Sequence, residues 1–388
     1  MFYFTNLIKK ERGNCMKKII SILLMTALLL TMLSGCSKPE APSTPEVSDT
    51  DSTKKPKFVF VVTGQLGDRS FNDSAANGIK LITEQLGFET NIIEIGRDQT
   101  KWEPTFMDLA EGGKYDAIIT NGSNAGELIQ SIFTEFPDQK FILFDTEIEN
   151  GQYPNVYAIS YKQNEGSYLA GVLAALVTKS DMENSNPEKK IGFIGGEVHP
   201  IISDFLVGYI EGAKSVEPDI KVYVSYVGSW DDIAKGKETA IAQYNQGVDI
   251  IFPAAEQAGL GCIEAAVEMN KYIIGVDSDQ ALLFKGVDEA KANVILTSVL
   301  KQVDQSLLRA GKLHLEGSLP YGNFESLGIK EGGSGIAINE YYESNVPEDI
   351  REEVKKAEEK VTSGEIKVTS ALGLENEKID DIINSVKP

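Results

Sequence analysis

From Lys57 onward, short β-branched or aromatic runs alternate with amphipathic stretches of helical length, and no other feature restricts the chain's architecture as much. Residues 58–62, 91–95, 117–120, 141–144 and 156–160 read as buried strands. Between them, 74–86, 102–111 and 125–136 carry apolar residues at three- and four-residue spacing, the period of a helix with one buried face. That alternation predicts a parallel sheet with crossover helices. A second series follows: helices at 165–178, 202–215, 233–246 and 260–269, with strands at 191–194, 222–226, 250–252 and 273–276. One more strand at 294–298 and a helix at 300–310 come next. The tail adds short strands and a charged helix at 347–361, whose REEVKKAEEK stretch reads as a solvated face. The fold class is therefore α/β, with two consecutive units of similar size and no evident linker between them, which describes a two-lobed protein.

The N-terminus carries a different signal. Lys17 and Lys18 precede an apolar run, 19–33, that is too short to span a bilayer comfortably and ends in Leu33-Ser34-Gly35-Cys36. Residues 1–35 read as a secretory signal whose cleavage leaves Cys36 first, ready to carry lipid. Met16 is the better start, with 1–15 an upstream extension. Segment 37–56, rich in Pro, Ser, Thr and acids, buries too little to fold and makes a tether behind the lipidated cysteine.

Composition removes several function classes. A formal charge of −21 argues against nucleic acid and against electrostatic attraction to anionic lipid. Of three cysteines, Cys15 and Cys36 are accounted for by the start and the lipid, so no disulfide framework exists, and Cys262 reads as a buried small hydrophobe. Two histidines, His199 and His314, leave little material for a metal site or a catalytic triad, and both read as incidental.

In open parallel sheets ligands gather beyond the carboxyl ends of the strands, so the residues that follow each strand are the candidates. After the first strand, Thr63 to Asp73 forms a glycine-containing loop feeding a helix. Asn72 and Asp73 suit a helix cap, whereas the Phe71 ring at that edge suits stacking on a planar ligand. Asn121-Gly122-Ser123-Asn124 offers small hydrogen-bonding groups, or merely a turn and a cap. Asp277, in Asp277-Ser278-Asp279, suits vicinal hydroxyls of a sugar; the acids alone are too few for a metal.

Several motifs resemble the basic membrane protein, or PnrA-like, family of substrate-binding lipoproteins of ABC transporters. They are GDRSFND at 67–73, EGSYLAGVLAAL at 165–176, IGFIGG at 191–196, Phe205 with GYIEGAK at 208–214, VGSWDD at 227–232, IGVDSDQ at 274–280 and TSVLKQVD at 297–304. The resemblance implies a type I periplasmic-binding-protein fold, two doubly wound parallel-sheet lobes joined by three crossing segments with ligand between them. It assigns 57–161 and 278–300 to lobe one, and 162–277 and 301–388 to lobe two. By the same resemblance Phe71 and Phe205 sandwich a base, Asn72 lies near that base, Asp277 and Lys301 reach ribose hydroxyls, and Asn121, Gly122, Ser123 and Trp230 line the cleft. The implied partners are a nucleoside-like small molecule, an ABC permease with its ATPase and, through the lipid, the membrane's outer side. No cofactor, nucleic acid or further protomer is implied.

The sequence departs from the family pattern twice. The acid expected just after the first strand is absent from Thr63-Gly64-Gln65, leaving Gln65 or Asp68 to substitute. Where a glycine-rich AGGTG-like loop is expected after Phe252, the chain reads Ala255-Glu256-Gln257-Ala258-Gly259, putting Glu256 at the cleft. Such changes bear on ligand class, so riboflavin or another planar or sugar-bearing solute stays beside purine nucleoside. A ligand sensor using the same cleft, or a nucleoside hydrolase, are the other functions weighed.

Overall fold

Alternate residues of the first strand, β1 (Lys57–Val62), enter different apolar clusters: Phe58, Phe60 and Val62 on one face, Val59 and Val61 on the other. A strand buried on both faces belongs inside a parallel sheet covered by helices on both sides. The computed structural model describes residues 55–388 and has that form. The expected signal segment, Cys15, Cys36 and nearly all of the tether lie outside the described residues.

The first sheet is built from β1, β2 (Glu89–Glu94), β3 (Ala117–Asn121), β4 (Lys140–Phe144) and β5 (Val156–Tyr161) in the order β2-β1-β3-β4-β5, all parallel. Its crossovers contain α1 (Phe71–Leu81), α2 (Trp102–Gly112) and two short helices, α3 (Gly122–Ala125) and α4 (Gln130–Glu135). The long helix expected at 125–136 is split because Asn121 caps a helix start earlier, accepting the Ser123 N–H at 3.0 Å.

The second sheet repeats the order as β7-β6-β8-β9-β10, with β6 (Lys190–Gly195), β7 (Lys221–Tyr226), β8 (Ile250–Ala254), β9 (Tyr272–Asp277) and β10 (Ile295–Lys301). Helices α5 (Gln163–Thr178), α6 (Pro200–Val216), α7 (Ile233–Tyr244) and α8 (Glu256–Met269) cover it, followed by α9 (Gln280–Phe284) and α10 (Glu289–Val294). After β10 come α11 (Val303–Leu315), β11 (Phe324–Leu327) and β12 (Ser334–Ile336). Strand β11 joins β5 in parallel and β12 joins β10 antiparallel. Three last helices, α12 (Glu340–Asn345), α13 (Glu348–Ser363) and α14 (Asn376–Asn384), complete the chain. The charged α13 is solvated on one face only, since Ile350, Val354 and Val361 enter the second lobe's core.

The division between lobes differs from the expected one. Segment 278–300 lies with the second sheet: Ile295 pairs with Ile273, Leu300 pairs with Asp277, and Ala281, Phe284 and Ala292 join a cluster with Ala258 and Cys262. Conversely, 303–327 belongs to the first lobe, because Val303, Leu307 and Leu308 pack with Phe58 and Ile79. Strand β10 also runs to Lys301, so the helix expected from 300 starts at Val303. The chain thus crosses between lobes near 162, 302 and 328.

Helices α5 and α6 approach so closely that a Cβ on Gly171 would stand 2.1 Å from the Tyr209 carbonyl oxygen, and one on Gly212 2.0 Å from that of Tyr168. A side chain there forces the helices apart and opens the core around Leu173 and Phe205. Gly212→Ala is expected to lower stability by roughly 1–3 kcal/mol or more, measured by denaturant unfolding.

Candidate ligand-binding cleft

Both sheets reverse their strand order next to the first strand of each lobe, and the carboxyl ends of the strands face a common cleft, where doubly wound proteins hold ligands. Three strand ends there share an unusual backbone. Asp145 follows β4 with φ 61°, Glu256 follows β8 with φ 46°, and Asp277 ends β9 with φ 62°. Left-handed backbone costs a side-chain-bearing residue roughly 1–2 kcal/mol, and such strain collects at functional sites. All three carboxylates line one cavity, together with Phe71, Asn121, Ser123, His199, Phe205, Trp230 and Lys301. Aromatic faces beside a few convergent polar groups are the lining of a small-molecule site.

The centre of the cavity is cationic. Lys301, at the end of β10 where the chain crosses lobes, has a side chain only 2% exposed, and its Nζ donates to Asp145 Oδ1 at 2.6 Å. Asp145 hangs from the first lobe and also accepts from Ser123 Oγ at 3.4 Å. Three rings surround the ammonium: Phe71 at 5.3 Å, Phe205 at 5.1 Å and Tyr161 at 5.6 Å from their centroids. Phe71 is seated on Phe144 (5.3 Å) and Phe205 on Phe252 (5.8 Å), so each ring is backed by its own lobe.

A second polar network closes the rim. Glu256 Oε2, from the second lobe, accepts Arg97 Nη2 at 2.5 Å and Asn72 Nδ2 at 2.9 Å, both from the first. The Arg97 guanidinium also lies 5.8 Å from the Trp230 ring and 4.0 Å from Asp231. Ser70 Oγ donates to Asp277 Oδ2, Gln257 Nε2 to the Leu66 carbonyl at 3.0 Å, and Gln280 Nε2 to the Arg69 carbonyl at 3.0 Å. The lobes are closed. Burial raises Asp277 to about 6, opposed by Lys301 and the Ser70 hydrogen bond. Burial likewise raises Glu256 to about 7 against the pull of Arg97.

Not every expected site residue reaches the cavity. Gln65 is exposed and away from it. Asp68 is fully buried and saturated, accepting the backbone N–H groups of Ser70, Asn72 and Asp73 and the Asn72 side chain, so it shapes the loop and cannot act as the missing acid. Asn72 stands behind the wall, between Asp68 and Glu256. Gly122 is also outside the lining; a Cβ there would meet Thr146 Cγ2 at 2.2 Å, which fixes it as glycine for packing. His199, read as incidental, lines the cavity as the cap of α6, its Nδ1 accepting the Ile201 N–H at 3.3 Å, while burial lowers its pKa. Asp145 and Arg97 were missed. Asp145 directly follows a strand, so the strand-end rule applied to β4 would have found it; Arg97 carries no such sign.

Two lobes with doubly wound sheets, three crossings and a cleft lined from both sides give the architecture of a two-lobed solute-binding protein. Residues 55–371 match the family described as ABC transporter substrate-binding protein PnrA-like (Bmp), and the chain belongs to that family. It is 31% identical over 371 residues to the ABC transporter nucleoside-binding protein BmpA of Lactococcus lactis subsp. cremoris, covering 91% of this chain and 99% of that one. It is 34% identical over 325 residues to Basic membrane protein D of Borreliella burgdorferi, covering 83% and 90%. A solved ABC transporter system solute-binding protein from Aeropyrum pernix K1 superposes with a TM-score of 0.75 at 25% identity, over 85% of this chain and 97% of that one. The protein is thus the substrate-binding component of an ABC transporter, a class that takes a small molecule outside the cytoplasm and partners a permease. Among the described residues no helix is long and apolar enough to cross a membrane.

Removing one member of a buried ion pair leaves an uncompensated charge. Asp145→Ala is therefore expected to cost roughly 3–5 kcal/mol in thermal or denaturant unfolding, and Asp145→Ala with Lys301→Met to recover most of it. Glu256 contributes a pH dependence of known sign. Its folded pKa of about 7 lies above the ordinary 4.5, so its protonated form stabilises the fold below 4.5 and that contribution is lost as pH rises through 7. Glu256→Gln should accordingly gain thermal stability relative to the unaltered protein between pH 5 and pH 8.

Proposed function

We propose that this protein captures a nucleoside, a purine nucleoside by preference, in the closed cleft and hands it to its permease without catalysing a reaction on it. The observation that carries the reading is the pair of phenylalanine rings, one on each lobe, that converge on the Lys301 ammonium at 5.3 and 5.1 Å. Rings backed by Phe144 and Phe252 make firm stacking faces for a planar base. Asp277, with one oxygen held by Ser70 and the other without a partner among the described residues, suits ribose hydroxyls, and Lys301 in the same cavity can donate to the same sugar. The nucleoside-binding name of the lactococcal relative supports the ligand class. Cys36 carries the lipid that tethers a monomer to the outer face of the membrane, through segment 37–56.

Stacking contributes roughly 1–3 kcal/mol per base, so Phe71→Ala and Phe205→Ala should each weaken nucleoside binding about 5- to 150-fold in calorimetric titration. Asp277→Ala should cost at least as much for a nucleoside and little for the free base. Equal losses for both ligands at Asp277, or none at either phenylalanine, contradict the reading. Cys36→Ser should release the protein from carbonate-washed membranes; retention there contradicts the anchor.

A further inference from the structure

Glu256, like Asp277, has carboxylate oxygens in two different situations, and it alone of the two is held by donors that include an arginine of the opposite lobe. Oε2 is claimed by two donors from the opposite lobe, Arg97 Nη2 at 2.5 Å and Asn72 Nδ2 at 2.9 Å. Oε1 makes no hydrogen bond with any described residue, yet the side chain lines the cavity. Glu256 and Phe71 line the same cavity, and Asn72, to which Glu256 is bonded, directly follows Phe71 in the chain. The left-handed backbone at Glu256, φ 46°, holds the carboxylate at that place despite its conformational cost.

We infer that Glu256 Oε1 reads the edge of the stacked ligand, selecting bases that present an N–H donor there over bases that present a lone pair. This rests on the nucleoside reading of the cleft and adds the residue that discriminates among nucleosides. Of the other carboxylates, Asp68 is saturated by the loop around it, Asp145 is held by Lys301, and the free oxygen of Asp277 is assigned to the ribose. A buried carboxylate oxygen left facing a lone pair loses its hydrogen bond and meets repulsion, which is why built polar sites discriminate strongly.

The amide variant gives a directional test. Arg97 and Asn72 are both donors, so in Glu256→Gln they retain the amide oxygen and turn the NH2 toward the ligand. The recognition sense then inverts. Inosine, whose N1 carries a hydrogen, and purine riboside, whose N1 carries a lone pair and which lacks the 6-oxo group, are the probes, titrated calorimetrically at pH 8, above the Glu256 value of about 7, so that Oε1 is ionised and only accepts. The unaltered protein should bind inosine at least about tenfold more tightly than purine riboside. Glu256→Gln should collapse or reverse that ratio. A purely structural or lobe-closing role for Glu256 would weaken both ligands alike and leave the ratio unchanged, which overturns the inference, as would equal affinities in the unaltered protein. Failure of the unaltered protein to bind either nucleoside overturns the functional reading and this inference with it, so the two failures are distinguishable.

Discussion

The buried Lys301–Asp145 pair is the contact on which the cleft depends. An ammonium and a carboxylate taken out of water are costly unless each is held by the other and by further polar or π partners. Here the carboxylate comes from the end of β4 in the first lobe and the ammonium from the end of β10 in the second, 2.6 Å apart. Three aromatic faces complete the cation's surroundings, each contributing through its ring quadrupole. Because Lys301 also sits at a chain crossing, the ion pair fixes the hinge and the cavity together. Left-handed backbone at Asp145 is the local cost of that geometry.

Closure around this pair is reinforced at the rim by contacts that need no ligand: Arg97 and Asn72 on Glu256, Ser70 on Asp277, Gln257 and Gln280 on opposite carbonyls. A ligand shifts a two-state equilibrium only by the difference in its affinity for the two states. Contacts of this kind bring the closed state within reach, and a solute that touches both lobes supplies the remaining bias. The raised pKa values of Asp277 and Glu256 belong to the same design: both carboxylates are desolvated by closure and short of partners until a donor arrives.

Much of this could be read from the sequence, for identifiable reasons. Strand β1 is a run of β-branched and aromatic residues after Lys57, and the strand-end rule led to Phe71, Asn121, Ser123 and Asp277, while family motifs added Phe205, Trp230 and Lys301. What failed was long-range. The strand read at 294–298 fits either lobe, and its pairing beside β9, with Ile295 on Ile273, assigns it to the second sheet. Asp68 and Gln65 looked equally available as acceptors until the loop's own N–H groups were seen to consume Asp68. His199 is one of two histidines isolated in the sequence, and the turn into α6 brings it to the cavity wall.

The central claim is that a nucleoside is held between faces supplied by both lobes, and a crystal structure of the folded unit, residues 55–388, grown with inosine tests it most directly. The base is expected between Phe71 and Phe205, its ribose on Asp277 and Lys301. Inosine bound to one lobe alone, or with neither phenylalanine against its base, would contradict the account.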